Sequence, residues 1–125
     1  MIISAAPFLM FQGRCEEALT FYAAVLPGCR IASLETKPDG TVAMARLALP
    51  GLEIMAHDSP PVHEFDFTPS TSTFLTVASA GDVDALAPAL GPEGRPLMPP
   101  DDYGFSRRFA WVQDRFGVSW QINCP

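Results

Sequence analysis

The order of elements repeats along this chain. A short apolar strand runs into an amphipathic helix and then into turn-linked strands, and the same order returns roughly 60 residues later. Residues 2–11 are apolar with strand character, and Arg14-Cys15-Glu16-Glu17 opens a helix. Two carboxylates in its first turn suit the positive end of the helix dipole. Ala18, Leu19, Tyr22, Val25 and Leu26 recur at helical spacing, and Pro27-Gly28 stops the helix. Cys29–Thr36 reads as a strand, Lys37-Pro38-Asp39-Gly40 as a turn, Thr41–Leu49 as the returning strand, and Leu52–His57 as a fourth. After a proline-containing segment at 58–70, Ser72–Ala78 begins the second round. Ser79 with Asp82 three residues on reads as a helix start, and Val83, Leu86, Ala87 and Leu90 form the stripe. Pro88 falls within that stripe, so the helix is expected to kink or end early. A short strand near Arg95–Met98, a strand over Phe105–Gln113, a turn at Asp114–Gly117 and a last strand over Val118–Asn123 complete the round. Residue identity between the halves is slight, so the repeat lies in element order.

Composition fits this reading. Apolar residues make up 48% and charged residues 18% of 125 residues, the balance of one globular domain with a real core. Thirteen prolines and nine glycines keep the elements short and the turns frequent. The expectation is one domain over 1–125, with module one at about 1–60 and module two at about 70–125. A formal net charge of -6 repels phosphate backbones, and no basic stripe surrounds the adjacent Arg107 and Arg108, which argues against a nucleic-acid partner. Cys15, Cys29 and Cys124 have neither paired nor zinc-knuckle spacing and read as free thiols of a reducing, cytoplasmic compartment. The apolar N-terminus lacks a basic region and a cleavage site, and no apolar run approaches the ~20 residues of a membrane helix, so no membrane partner is expected.

Three stretches carry a resemblance. FQGRCEEALTFYAAVLPG at 11–28, LPGLEIMAHDSP at 49–60 and FAWVQDRFGVSWQINCP at 109–125 resemble the PhnB-like branch of the glyoxalase (vicinal oxygen chelate) superfamily. The Asp114–Gln121 run is the most specific, and element order extends the likeness over essentially the whole chain. This branch is often labelled 3-demethylubiquinone-9 3-methyltransferase, and bleomycin-resistance proteins belong to the same superfamily. The resemblance implies an α+β fold of two paired βαβββ modules, each sheet curling around a cavity with its helix outside, and a homodimer. Alternation within strands then places Leu52, Ile54 and Ala56 towards the helix and Glu53, Met55 and His57 towards the cavity. Val118, Trp120 and Ile122 likewise face the helix, and Ser119, Gln121 and Asn123 the cavity.

Metal-using members of the superfamily take one His, Glu or Gln ligand from each of four strands. Carried onto this sequence, those positions are Pro7, Met55, Ser72 and Gln121, of which only Gln121 offers a suitable donor. No metal or other cofactor is therefore expected. His57 and Glu53 are the candidate acid–base groups, and Phe11, Met55, His57, Trp111 and Gln121 the candidate ligand-binding set. His63 sits in the 58–70 loop and reads as an exposed loop histidine. One of Arg107 and Arg108 is expected to face the cavity, where it would favour an anion. Phe65, Phe67 and Trp120 read as core, and Cys15 as a helix-start thiol without a neighbouring base.

Three readings of function follow. The first is metal-independent binding of a small molecule in a dimer cavity. The second is a glyoxalase-class enzyme, lyase or dioxygenase in type, with a displaced metal site using Gln121, His57 and Glu53. The third is the methyltransferase that the label names, for which no glycine-rich nucleotide loop follows a strand.

Overall fold

A strand with Leu9 and Phe11 on one side must cover them, and the helix that follows immediately supplies the cover. The computed structural model describes residues 1–125. The chain forms two compact units, Met1–Glu64 and Phe65–Pro125. Each is a βαβββ module, so the structure has the paired-module α+β architecture expected from the repeat. No helix is long and apolar enough to cross a membrane.

The first unit contains β1 (Phe8–Phe11), α1 (Cys15–Val25), β2 (Arg30–Thr36), β3 (Val42–Leu49) and β4 (Leu52–Asp58). The sheet order is β1-β4-β3-β2, with β1 parallel to β4 and the other pairs antiparallel. Cys15, Ala18, Leu19 and Tyr22 on α1 are buried, as are Ala45, Leu47, Ile54 and Ala56 on one face of the sheet. These make the core of the unit, and α1 lies over β2, β3 and β4. The first strand is shorter than the apolar run at 2–11: residues 1–7 are exposed and outside the sheet. Pro7 explains the limit, since its carbonyl accepts the Met55 N–H at 2.9 Å but it has no N–H of its own to extend the ladder.

The second unit contains β5 (Thr73–Thr76), α2 (Ala80–Leu90), β6 (Arg95–Asp101), β7 (Arg108–Gln113) and β8 (Ser119–Cys124). Its order, β5-β8-β7-β6, with β5 parallel to β8, repeats that of the first unit. Val83, Leu86, Ala87 and Leu90 on α2 are buried together with Ala110, Val112, Trp120 and Ile122 of the sheet. Ser79 caps α2 in a reciprocal capping box with Asp82.

Three expectations change here. The helix does not end early at Pro88 but runs through it to Leu90. Pro88 stands in the last turn, where its missing N–H removes little beyond one intrahelical bond. The short strand expected at Arg95–Met98 extends to Asp101 despite Pro96, Pro99 and Pro100, because β6 is an edge strand and its outer side needs no donors. The following strand starts at Arg108 rather than Phe105, after a turn in which the rings of Tyr103 and Phe105 gather on Phe109. Between α2 and β6, Gly94 cannot be replaced without movement: a Cβ there would lie 2.2 Å from the Gln113 carbonyl oxygen.

Candidate functional site

Each sheet has one face under its helix and one face turned away from it, and the second face carries the candidate residues. In the first unit strand register fixes what shares that face. Phe8 pairs with Met55 and Met10 with His57 across β1 and β4, while Met55 pairs with Arg46 and Glu53 with Ala48 across β3 and β4. One row of the helix-free face therefore reads Phe8, Met55, Arg46, and a neighbouring row begins Met10, His57. Met10, Met55 and His57 are all half-buried. The His57 ring meets Phe8 edge-on, with centroids 5.0 Å apart at 64°. Arg46 Nη1 lies 2.8 Å from Glu53 Oε1, with both side chains about half exposed (50% and 44%). Glu53 is thus a half-exposed carboxylate already paired with a guanidinium, not a buried one.

In the second unit the register across β5, β8 and β7 aligns Phe74, Gln121 and Trp111 in one row. Gln121 Nε2 donates to Ser72 Oγ at 2.6 Å, and Trp111 Nε1 donates to Ser119 Oγ at 2.7 Å. Trp111 is held by its N–H, leaving a half-buried indole face, and Phe74 beside Gln121 is 54% exposed. An aromatic wall with a few fixed amide and hydroxyl groups is the usual lining of a small-molecule site.

The remaining sequence candidates separate. Phe11 pairs with Asp58, is 3% exposed and lies on the helix side of its sheet, away from Met55 and His57, because side chains alternate along β1. For the same reason the side chain beside Met55 is that of Phe8 and not Pro7. Neither arginine turns to the helix-free face as a free cation: Arg108 Nε pairs with Asp84 of α2 at 2.9 Å, and Arg107 Nε donates to the Pro125 carbonyl at 2.6 Å. His63 is exposed, and its backbone N–H donates to Gln12 Oε1 at 3.2 Å. Trp120 is fully buried and core, as expected, but Phe65 is 61% exposed. The Cys15 side chain is fully buried. Burial pushes its thiol up to about 12, and the charges of Asp58 and Glu16 act in the same direction, overriding the helix-start effect.

The sequence reading missed Phe8, Met10, Met44 and Arg46 on the first helix-free face. Period-two alternation through 8–11 and 42–49 was the available signal, but it required knowing which strands are neighbours. It missed Asp58 altogether. This carboxylate is 2% exposed and accepts from Gly13 N at 2.8 Å and Cys15 N at 3.0 Å through Oδ1, and from Val42 N at 2.9 Å through Oδ2.

Residues 4–123 match the family described as 3-demethylubiquinone-9 3-methyltransferase. The chain belongs to that family. A PhnB protein from Bacillus cereus, which carries the same label, is 36% identical over 98% of this chain and 99% of its own, with a TM-score of 0.91. Protein YjdN of Escherichia coli K12 is 26% identical, covering 94% of this chain and 92% of the relative. A glyoxylase/bleomycin resistance protein/dioxygenase domain from Frankia shares only 16% identity, over 99% of this chain and 98% of its own, yet superposes with a TM-score of 0.71. Fold and family are therefore those of the PhnB-like branch of the glyoxalase superfamily.

The divalent metal used by some superfamily members does not fit the side chains present. In the first unit Pro7 has no donor side chain, Met55 offers only a thioether, and the side chain beside Met55 is that of Phe8. In the second, Ser72 and Gln121 bond to each other and supply only neutral oxygen or amide donors. No group of three His, Cys, Asp or Glu residues comes together anywhere in the chain. Hard divalent ions are held by carboxylate, imidazole and carbonyl donors, and this set offers no such combination.

Proposed function

We propose that this protein binds a small, amphipathic organic molecule on the helix-free faces of its sheets without a divalent metal, and that it works as a homodimer. The observation carrying the reading is the hydrogen bond from Gln121 Nε2 to Ser72 Oγ beside the Trp111–Ser119 pair. It ties Gln121, the one good donor among the positions that hold a metal in some superfamily members, into a neutral polar network next to an indole face. Such a surface stacks and orients a flat molecule and gives no Lewis acid a charged anchor. Met55 and His57 supply the corresponding surface on the first sheet: a polarizable thioether that adapts to irregular shapes and an imidazole able to donate or accept. Phe8, 47% exposed, and Phe74, 54% exposed, lie on strands at sheet edges, and a second copy of the chain is the natural cover for them.

The test is a fragment screen in the presence of a chelator, read by the Trp111 indole and methionine methyl resonances. Aromatic fragments with one polar group should shift Trp111 and Met55, and Gln121→Ala should diminish the Trp111 response. Binding that appears only after a divalent metal is added would favour the glyoxalase-class enzyme. Light scattering checks the dimer, and a stable monomer at micromolar concentration would defeat that part.

A further inference from the structure

The first sheet holds a second kind of chemistry, which does not depend on the organic-ligand reading. The parallel register of β1 and β4 sets Met10 beside His57. The antiparallel register of β3 and β4, which pairs Ala45 with Ala56, sets Met44 opposite His57 on its other side, one residue further along. All three face away from α1, since Ala45 and Ala56 beside them are fully buried under the helix. His57 is thus flanked on one face by two methionines from the two neighbouring strands. All three side chains are half-buried.

We propose that Met10, His57 and Met44 form a binding site for copper(I). Neighbouring strands lie about 4.8 Å apart, which brings same-row side chains within reach of a common point above the sheet. Methionine has three rotatable bonds, so either thioether can lean towards the central imidazole without moving backbone. Two soft sulfurs and one imidazole nitrogen are a donor set for a soft monovalent cation and a poor one for magnesium, manganese or calcium. Few coordinating groups suffice, because a monovalent d10 ion accepts two or three donors, and all three here are neutral when the imidazole is unprotonated. The Phe8 ring, edge-on to His57, limits how the imidazole can turn. At the end of the row Glu35, paired with Met44 across β2 and β3, places a carboxylate near the site, Arg46 on the same face is engaged by Glu53, and the Lys37 ammonium donates to the Asp58 carbonyl at 3.4 Å.

The thioethers give a readout that the buried cysteines cannot imitate. Silver(I), the air-stable analogue of copper(I), is titrated into the full chain carrying carbon-13 methionine methyls. With the first equivalent the Met10 and Met44 methyl resonances should shift together with the His57 ring protons, while Met98, in the other unit, should stay in place. Copper(I) affinity is then measured under anaerobic, reducing conditions by competition with a chromophoric chelator, for the native chain and for Met10→Leu, Met44→Leu and His57→Phe. Leucine keeps size and apolarity, so folding is preserved. Loss of a direct ligand should weaken binding by no less than the about 10- to 100-fold that loss of an outer-shell partner costs. The proposal is overturned if no ion binds, if it binds without moving the Met10 and Met44 methyls, or if the leucine variants keep native affinity. A failure of this kind leaves the fragment screen untouched, because that screen is run without added metal.

Discussion

The two units build the same βαβββ module but anchor it differently. In the second unit each anchor is local. Ser79 caps the helix that starts one residue later, and Asp114, 2% exposed, accepts from Phe116 N at 2.9 Å, Val118 N at 3.0 Å and Trp120 Nε1 at 2.9 Å within its own hairpin. In the first unit the helix N-cap, Arg14, makes no side-chain cap. The start of α1 is satisfied from the far end of β4, where Asp58 accepts the Gly13 and Cys15 N–H groups and also that of Val42 at the start of β3. One carboxylate thus joins a helix start, a strand start and a strand end. A cap supplied by tertiary structure couples the elements it joins, whereas a local cap stabilises one element irrespective of the others.

That contrast can be broken by substitution. Asp58→Ala should be the most damaging, by about 4 kcal/mol, since it strands several donors in buried surroundings at once. Hydrogen exchange should then accelerate together at the start of α1 and the start of β3. Asp114→Ala should cost less, about 3 kcal/mol, mostly through the orphaned Trp120 N–H, and faster exchange should stay within the β7–β8 hairpin. Equal and spatially indistinguishable effects would remove the distinction. Ser79→Ala should cost about 1 kcal/mol and fray only the first turn of α2. A further effect is a slope with pH, confined to alkaline solution. The Cys15 thiol is raised to about 12 from an ordinary value of 9.0, so the unfolded chain loses this proton first as pH rises. Stability should therefore be unaffected by this group below pH 9 and decline from about pH 9 towards 12, as followed by urea midpoints. The decline should be shallower in a Cys15→Ala variant.

The same contrast explains what was legible in the sequence. Ser79 with Asp82, and the Asp114–Gly117 turn, could be read directly because donor and acceptor lie within a few residues. Strand parity in 52–57 and 118–123 was equally readable, and the structure puts Glu53, Met55, His57, Gln121 and Asn123 away from the helices as that parity required. In the sequence Asp58 reads as the start of a loop, because its partners lie 16, 43 and 45 residues away and nothing local marks them. Phe11 was misplaced for a related reason: its neighbour on the sheet is the buried Asp58, which only the β1–β4 pairing reveals. The row through Met10, His57 and Met44 comes from three separate strands and needs two registers at once. Pro88 and the prolines of β6 misled because a proline's cost depends on whether its position needs a donor, and that is a property of the assembled sheet and helix end.

The central functional claim is that the positions which hold a metal in some superfamily members serve organic binding here, with copper(I) proposed only at the separate row of Met10, His57 and Met44. The most direct measurement is metal content by mass spectrometry, on untagged protein purified without chelator from culture supplemented with nickel, zinc, iron, manganese and copper. The account predicts nickel, zinc, iron and manganese far below one ion per chain in a folded protein. Near-stoichiometric amounts of any of those four would contradict it and make Gln121, His57 and Glu53 the ligands to mutate.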